Sequence, residues 1–290
     1  MADFQIISDS SCDLSKEIIE RYHIDLVPYL VTFDGVTYYK DGVDITLDEF
    51  YAQLQKKGIF PKTSLPPIQD YVDKFKIYLE KGMDVLCVCL TSKFSGSYQS
   101  AINAANILLE DFPERKIRVI DSCLVTYLQG LLVCDIAEYK NDGKTIDEIC
   151  DIVDIYKNDC GIFVTVDSLN HLQNGGRIGK ASALAGSLLN IKPIISFEDG
   201  ELHAYSKVRG RKKALHEVVD ISYDKLEGKF DDYRIIALHN CCEEDGQEID
   251  VYMTERGMPS LGLGYVGITI SVHIGPSAAA VVFLRKRPAV

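Results

Sequence analysis

Short runs of apolar residues alternate with helical patterns through the first half of the chain. The apolar runs lie at 4–8, 84–90 and 117–120. Continuous apolar runs of this kind are typical of strands that are covered on both faces. Stretches with helical spacing lie at 47–58, 68–82, 96–112, 124–143 and 145–159. The alternation predicts an open parallel sheet with helices on both faces.

The pattern changes near residue 160. An apolar run at 161–166 is followed by two strand-like segments, 191–197 and 201–208, which flank the hairpin signal Glu198-Asp199-Gly200. Two further helical patterns cover 210–226 and 243–257, with a strand-like run at 233–240 between them. We therefore predict two α/β domains, residues 1–160 with a parallel open sheet and residues 161–290 with a mixed sheet.

The last apolar segment, 268–283, reads as a buried strand but contains a histidine. His273 stands two residues before Gly275, which is followed by a proline. A core histidine before a turn and a functional imidazole are both consistent with this pattern. The segment alone does not decide between them.

Composition excludes several classes of protein. The 290 residues are 47% hydrophobic and 26% charged, which indicates a packed globular chain. A net charge of -12 argues against a nucleic-acid or anionic-membrane surface. No apolar run is long enough to span a bilayer, and the first residues do not resemble a signal peptide, so we expect a cytoplasmic protein. None of the nine cysteines forms a C-x-x-C pair, which favours reduced, mostly buried thiols and no metal site.

Hydroxyl and carboxyl side chains follow four of the predicted strands. They are Asp9-Ser10-Ser11, Thr91-Ser92 with Ser95-Gly96 beyond, Asp121-Ser122 and Asp167-Ser168. Each could be an ordinary helix cap. Together, at the carboxyl edge of a sheet, they would form a polar floor with helix N-termini directed at it, which suits an anion.

Two further stretches suggest anion binding. Gly175-Gly176 precedes Arg177, so a constrained turn could hold a guanidinium that forks onto carboxylate or phosphate. A surface arginine after a helix end is the alternative. Thr63 and Ser64 stand just before two prolines and a helical pattern, where a hydroxyl suits a cap.

Three familiar catalytic or nucleotide motifs are absent. The stretch 174–186 fails as a phosphate-binding Walker loop because Asn174 and Ala181 occupy required positions. The glycines of 262–267 match a dinucleotide fingerprint by letter, but we expect the β-branched residues after them to form a strand, not a helix. Ser95 lacks the glycine pattern of a nucleophile elbow.

Taken together and in order, these motifs resemble the DegV family of bacterial fatty-acid-binding proteins. The resemblance covers nearly the whole chain, and the segments that carry it are DSSCDL (9–14), KTSLPP (62–67), SGSYQSA (95–101), VDSLNHLQNGGRI (166–178), IKPII (191–195), KVRGRKKAL (207–215) and HIGPS (273–277). It implies two α/β domains with a long-chain fatty acid in the cleft between them, its tail in an apolar tunnel. It also implies a partner, the catalytic subunit of a fatty acid kinase, which would supply ATP and form an acyl phosphate.

The resemblance also implies which residues bind the ligand. Thr63 and Ser95 would hydrogen-bond the carboxyl group, with Ser64 and Gly96 beside them. Arg177 and His273, with Gly275, would complete the polar end, and both could carry positive charge near neutral pH. This chain departs from the family pattern at Leu65, Pro67, Ser97 and Ser277, and the first two put chain-length preference and the shape of the Thr63 loop in question.

The resulting hypothesis is a lipid carrier with no catalytic residue, no metal and no cofactor of its own. Two alternatives remain at this point. One is a serine esterase or thioesterase that uses Ser95 and His273, and the other is a module that binds a phosphorylated metabolite through Arg177. Neither has a complete motif behind it.

Overall fold

The computed structural model describes residues 3–56, 59–184 and 190–288. The chain divides into two units. Unit 1 comprises Met1–Thr32, Tyr38–Ile45 and Thr63–Asn158, and unit 2 comprises Phe33–Thr37, Thr46–Lys62 and Asp159–Val290. Unit 2 thus takes two segments from the first 160 residues, which differs from a division into contiguous domains. The segment Thr46–Lys62 is bound to the rest of unit 2 through Tyr51, whose hydroxyl donates to the Val266 carbonyl at 2.6 Å.

Strands are numbered along the chain. In the described residues they are β1 (Phe4–Asp9), β2 (Asp25–Val27), β3 (Leu30–Thr32), β4 (Tyr39–Lys40), β5 (Lys62–Ser64), β6 (Asp84–Cys89), β7 (Ile117–Asp121), β8 (Cys160–Thr165), β9 (Ile191–Glu198), β10 (Glu201–Arg209), β11 (Tyr233–His239), β12 (Leu263–Tyr265) and β13 (Ala279–Arg285).

Helices are numbered in the same way. In the described residues the α-helices are α1 (Lys16–Tyr22), α2 (Leu47–Leu54), α3 (Ile68–Leu79), α4 (Ser97–Asp111), α5 (Thr126–Asn141), α6 (Ile146–Tyr156), α7 (Asn170–Asn174), α8 (Arg211–Leu226), α9 (Glu243–Glu255) and α10 (Ile268–Ile274). Short 3₁₀ helices cover Ser10–Cys12, Gly179–Leu184 and Phe230–Asp232. None of the helices described here combines the length and hydropathy that crossing a bilayer requires.

The main sheet of unit 1 is parallel, as predicted. Its order is β2-β1-β6-β7, with Ile7 opposite Cys87 in the register. Helices α3 and α4 pack on one face through a buried cluster that includes Tyr71, Phe75 and Leu108. Helix α5 packs against β1 and β6. A second, three-stranded sheet of order β4-β3-β5 was not predicted, since its strands have only two or three residues each.

The sheet of unit 2 is mixed, which confirms the prediction for this half. Its order is β10-β9-β8-β13-β11-β12, with β11 and β12 parallel and the other pairs antiparallel. The predicted hairpin is present, and positive φ angles at Asp199 (52°) and Gly200 (78°) form its two-residue turn. Helices α8 and α9 cover one face through a cluster that includes Phe163, Val218 and Ile249.

The segment 268–283 is not one strand. Residues Ile268–Ile274 form α10, and only Ala279–Arg285 form a strand. The helix ends where the Gly275 amide donates to the Ser271 carbonyl and Gly275 takes a φ of 82°. The Ser271 hydroxyl donates to the Asn240 side-chain oxygen at 2.9 Å, and the helix packs against α7 and α2. These tertiary contacts override the β propensity of the isoleucines and the valine.

The glycines at 262–267 were expected to lead into a strand, which argued against a dinucleotide-binding motif. A helix, α10, follows them instead. However, β12 runs through Gly264, so the motif is itself a strand and not the loop between a strand and a helix that a dinucleotide requires.

The stretch after Arg177 forms the 3₁₀ helix Gly179–Leu184, with Gly179 at a φ of 48°. Residues 185 and 186 of the stretch 174–186, and residues 57 and 58 of the predicted helix 47–58, lie outside the described residues. The nine cysteines are free thiols, three of them buried and six half-buried, so the expectation of mostly buried thiols was too strong.

Gly130 in the middle of α5 permits the close contact between α5 and the chain after β1. A Cβ atom there would lie 2.4 Å from the carbonyl oxygen of Cys12. We expect Gly130→Ala to lower the free energy of unfolding in urea by about 2 kcal/mol or more, although alanine is the better helix former. Gly246→Ala in α9 is the matched variant, because its nearest neighbours are side-chain atoms, Leu263 Cδ1 at 2.7 Å and His239 Cβ at 3.0 Å, and not a backbone carbonyl. Equal costs for the two variants would contradict a backbone clash at Gly130.

Candidate functional site

Ser95 lies in the loop between β6 and α4, where it is half-buried. Its Oγ accepts a hydrogen bond from the Tyr29 hydroxyl at 2.7 Å and another from the Ser97 amide at 3.2 Å. Gly96, the next residue, is exposed and caps α4. The predicted hydroxyl therefore stands at the start of a 15-residue helix with both of its lone pairs engaged.

A buried carboxylate lies beneath this loop. Asp9 has 0% exposure and accepts four hydrogen bonds. The donors are the Ser11 hydroxyl (2.5 Å), the Gln129 amide (3.0 Å), the Leu90 backbone amide (3.0 Å) and the Ser97 hydroxyl (2.7 Å). A buried charge is tolerated only when donors satisfy it in this way.

Asp9 sets the direction of the hydrogen bonds around it. Ser97 donates to Asp9, so Tyr71 must be the donor in its 2.6 Å contact with Ser97 Oγ. Burial and the Asp9 charge raise the pKa of Tyr29 well above its usual value. The pKa of Tyr71 is also raised, by burial and by neighbouring groups that include Cys89 and Asp9. Both phenols thus keep their hydrogens and act as donors.

The second hydroxyl motif lies next to the first. Thr63 is half-buried and Ser64 exposed, both at the end of β5. The Leu65 side chain reaches Gly96, where an added Cβ would stand 3.3 Å from Leu65 Cδ2. Unit 1 therefore brings the loop after Thr63 against the loop that carries Ser95.

The other predicted residues lie in unit 2, where two histidines and two glycines interlock. A Cβ on Gly175 would be 2.3 Å from His273 Nδ1, and a Cβ on Gly275 would be 2.7 Å from His171 Cδ2. Phe60 covers His171, with ring centroids 4.9 Å apart. Each glycine leaves the space that the opposite imidazole fills, so α7 and α10 pack closely at this point.

Arg177 is held by its own loop, as the glycines before it suggested. Its Nη1 donates to the Gly175 carbonyl at 2.6 Å, and its backbone amide donates to the Leu172 carbonyl at 3.0 Å. Gly176 takes a φ of 69°, which a residue with a side chain adopts only at a cost. The guanidinium is half-buried and its backbone is fixed.

The expectation that His273 changes charge near neutral pH was wrong. Burial lowers the pKa of His273 to about 4, and the positive charge of Arg177 acts in the same direction, as does His171 when it is protonated. Burial also lowers the pKa of His171, against an opposing hydrogen bond to the Val272 backbone. His273 is therefore neutral at pH 7, and Arg177 supplies the positive charge of this group.

Several polar residues of these groups were not identified from the sequence. In the sequence Tyr29 and Tyr71 are typical of core aromatics, Gln129 lies inside a helical pattern, and His171 lies within the segment 166–178 with no signal of its own. Asp9 was noted as a strand end and not as the centre of a network. Among the departures from the family pattern, Ser277 does have a visible contact, since its Oγ accepts from the Asp167 amide at 2.9 Å.

The fold and these side chains define a two-unit α/β protein with a hydroxyl-rich polar site in unit 1 and a histidine–arginine group in unit 2. The model of the DegV family, a family described as uncharacterised, matches residues 3–286, and the chain belongs to this family. A DegV domain-containing protein of Clostridium perfringens is 36% identical over 98% of each chain. A second relative, from Caldanaerobacter subterraneus, is 36% identical over 99% of this chain and all of its own.

Solved structures of the family share the fold over the whole chain. A stearic acid-binding protein from Eubacterium ventriosum is 37% identical, with a TM-score of 0.92 over 98% of this chain and 99% of its own. A fatty-acid-binding DegV family protein from Thermus thermophilus is 28% identical, with a TM-score of 0.87 over 99% and 100%. DegV of Bacillus subtilis, a fatty acid binding protein, is 28% identical, with a TM-score of 0.83 over 99% and 100%.

The lowered pKa of His273 can be measured directly. We expect its imidazole ¹H and ¹³C shifts to stay constant from pH 8 down to pH 5 and to titrate with a midpoint of about 4. Since the unfolded chain binds this proton near pH 6.5, the His273 contribution to stability is complete above that pH and is lost as the pH falls from 6.5 toward 4. His273→Gln assigns the resonance. A midpoint between 6 and 7 would show that the ring is hydrated and its charge not opposed.

Proposed function

We propose that this protein binds a long-chain fatty acid, whose carboxyl group is held by Thr63 and Ser95, and presents it to a separate ATP-dependent kinase subunit. The observation that carries the proposal is the match, over nearly the full length of both chains, to a stearic acid-binding relative. The hydroxyl-rich site of unit 1 supplies the chemistry that such a ligand needs.

A carboxylate only accepts hydrogen bonds, so its site must donate them. Ser95 accepts from Tyr29 and Ser97, which leaves its own hydrogen to donate. Thr63 offers a second hydroxyl near it. The start of α4 at Gly96 adds the positive end of a helix dipole, which favours negative charge. The hydroxyl donors and the helix dipole at Gly96 therefore both favour a bound anion.

The energetics explain why the head group needs these donors. An acyl tail of about 14 methylenes gains about 11 kcal/mol of transfer free energy on burial. Association and ordering costs take back about 4–15 kcal/mol. A carboxylate left without partners would cost more than the remainder. Hydroxyl donors at the head group therefore decide whether the complex forms.

The kinase partnership gives Arg177 and His273 a distinct role. An acyl carboxylate that becomes an acyl phosphate gains negative charge, which a fixed guanidinium stabilises. Arg177 has its backbone and side chain held by the glycine loop. His273, neutral at pH 7, would act as a hydrogen-bonding group and not as a cation. A partner that uses ATP would place the pair in the cytoplasm.

Removal of the hydroxyls tests the head-group site. We expect Ser95→Ala and Thr63→Ala each to weaken palmitate binding about 10-fold or more, because each removes a hydrogen bond to a charged group. Titration calorimetry measures the affinity, and thermal unfolding confirms the fold. Ser92→Ala, an exposed serine of the same loop, is the matched control and should bind normally. Unchanged affinity in the Ser95→Ala, Thr63→Ala double variant would remove both residues from the site.

Substitution of Arg177 and His273 tests the partnership. We expect Arg177→Ala and His273→Gln to reduce turnover coupled to a bacterial fatty acid kinase about 10-fold more than they reduce palmitate affinity. Arg177→Lys keeps the charge but loses the planar fork, so it should recover only part of the turnover. Equal losses of affinity and turnover would indicate a simple carboxylate clamp. No loss in either would make His273 a packing residue.

A further inference from the structure

Tyr29 is a core residue of unit 1 whose hydroxyl contacts the hydroxyl-rich site at Ser95. Only 2% of the residue is exposed, and its backbone amide donates to the Ser10 hydroxyl at 3.0 Å. Its hydroxyl donates to Ser95 Oγ at 2.7 Å. Burial of the ring and a hydrogen bond at each end of the residue therefore restrict its position.

The hydrogen bonds of Ser95 are limited in number. A serine hydroxyl has two acceptor positions and one hydrogen. The Ser97 amide occupies one acceptor position and Tyr29 the other. Whatever faces the remaining hydrogen must accept it, so Ser95 is restricted to donation.

The direction of the Tyr29 bond follows from Asp9. The Ser97 hydroxyl donates to Asp9, so it cannot also donate toward the tyrosines. The phenol of Tyr29 keeps its hydrogen, since burial and the nearby Asp9 charge oppose ionisation. The Ser97 oxygen already accepts from Tyr71, so the Tyr29 hydrogen is directed to Ser95 Oγ at 2.7 Å.

We propose that Tyr29 is a positioning residue that selects carboxylates over lipid alcohols by keeping Ser95 a hydrogen-bond donor. The inference rests on the proposed function and extends it to head-group selectivity. A carboxylate accepts from Ser95 with the help of its charge. A fatty alcohol must also place its own hydroxyl hydrogen, and Ser95 with Tyr29 bound has no lone pair left to receive it. Without the Tyr29 hydroxyl, Ser95 can accept as well as donate.

The test compares hexadecanoic acid with hexadecan-1-ol in displacement of a fluorescent fatty acid. The wild-type protein should bind the acid at least 10-fold more tightly than the alcohol. Tyr29→Phe retains the ring and should reduce this ratio about 5- to 10-fold, the size expected for one hydrogen bond. Tyr78→Phe, which loses a hydroxyl bond to Asp25 elsewhere in unit 1, should leave the ratio unchanged.

A double-variant cycle separates positioning from general loosening. In the Ser95→Ala background, the Tyr29→Phe change should no longer alter the ratio, because the group that Tyr29 orients is gone. A ratio that is unaltered by Tyr29→Phe alone, or that still changes in the Ser95→Ala background, would overturn the inference and leave the proposed function standing. A wild-type protein that binds both lipids equally would also overturn it. Failure of the wild-type protein to bind hexadecanoic acid would overturn the proposed function and this inference with it.

Discussion

The burial of one carboxylate constrains the whole polar side of unit 1. Asp9 is at 0% exposure, and a charge in that position must be surrounded by donors. Its four donors come from separate parts of the chain: Ser11 after β1, Leu90 after β6, Ser97 in α4 and Gln129 in α5. The ends of two parallel strands and the first turns of two helices are thereby fixed to one side chain. A shift of any of them would leave a buried donor or acceptor unpaired.

The network around Asp9 also positions the exposed part of the site. Ser95 stands two residues before Ser97, so the bond from Ser97 to Asp9 also places the loop that carries Ser95. Backbone strain is present at the start of α5, three residues before Gln129. Thr126, a β-branched residue, takes a φ of 51° at the start of α5 and donates its hydroxyl to Asp13 at 2.5 Å. Such a conformation persists only where the surroundings determine it fully, which is typical of functional sites.

The sequence was sufficient for the parallel sheet, the mixed sheet and the constrained glycine turn at Arg177, because periodicity and glycine placement are local signals. The binding roles of Thr63, Ser95 and Arg177 stay predictions. The sequence failed where tertiary contacts decide. Residues 268–274 alternate like a strand, yet the Ser271 bond to Asn240 and the packing against α7 make them a helix. The neutrality of His273 depends on packing against Gly175, which no local pattern reveals. Tyr29 was unrecognisable for the same reason, since a buried tyrosine hydroxyl acquires its role only from the residue it meets.

The central claim is that the hydroxyl-rich site serves a long-chain fatty acid. Native mass spectrometry of the protein, purified without detergent from a bacterial host, tests this most directly because the protein can retain whichever cellular molecule it binds. The expected result is a complex of one protein with one long-chain fatty acid, released on denaturation and identified by its mass. A bound phosphorylated metabolite, or a protein that remains ligand-free even after incubation with palmitate, would contradict the claim.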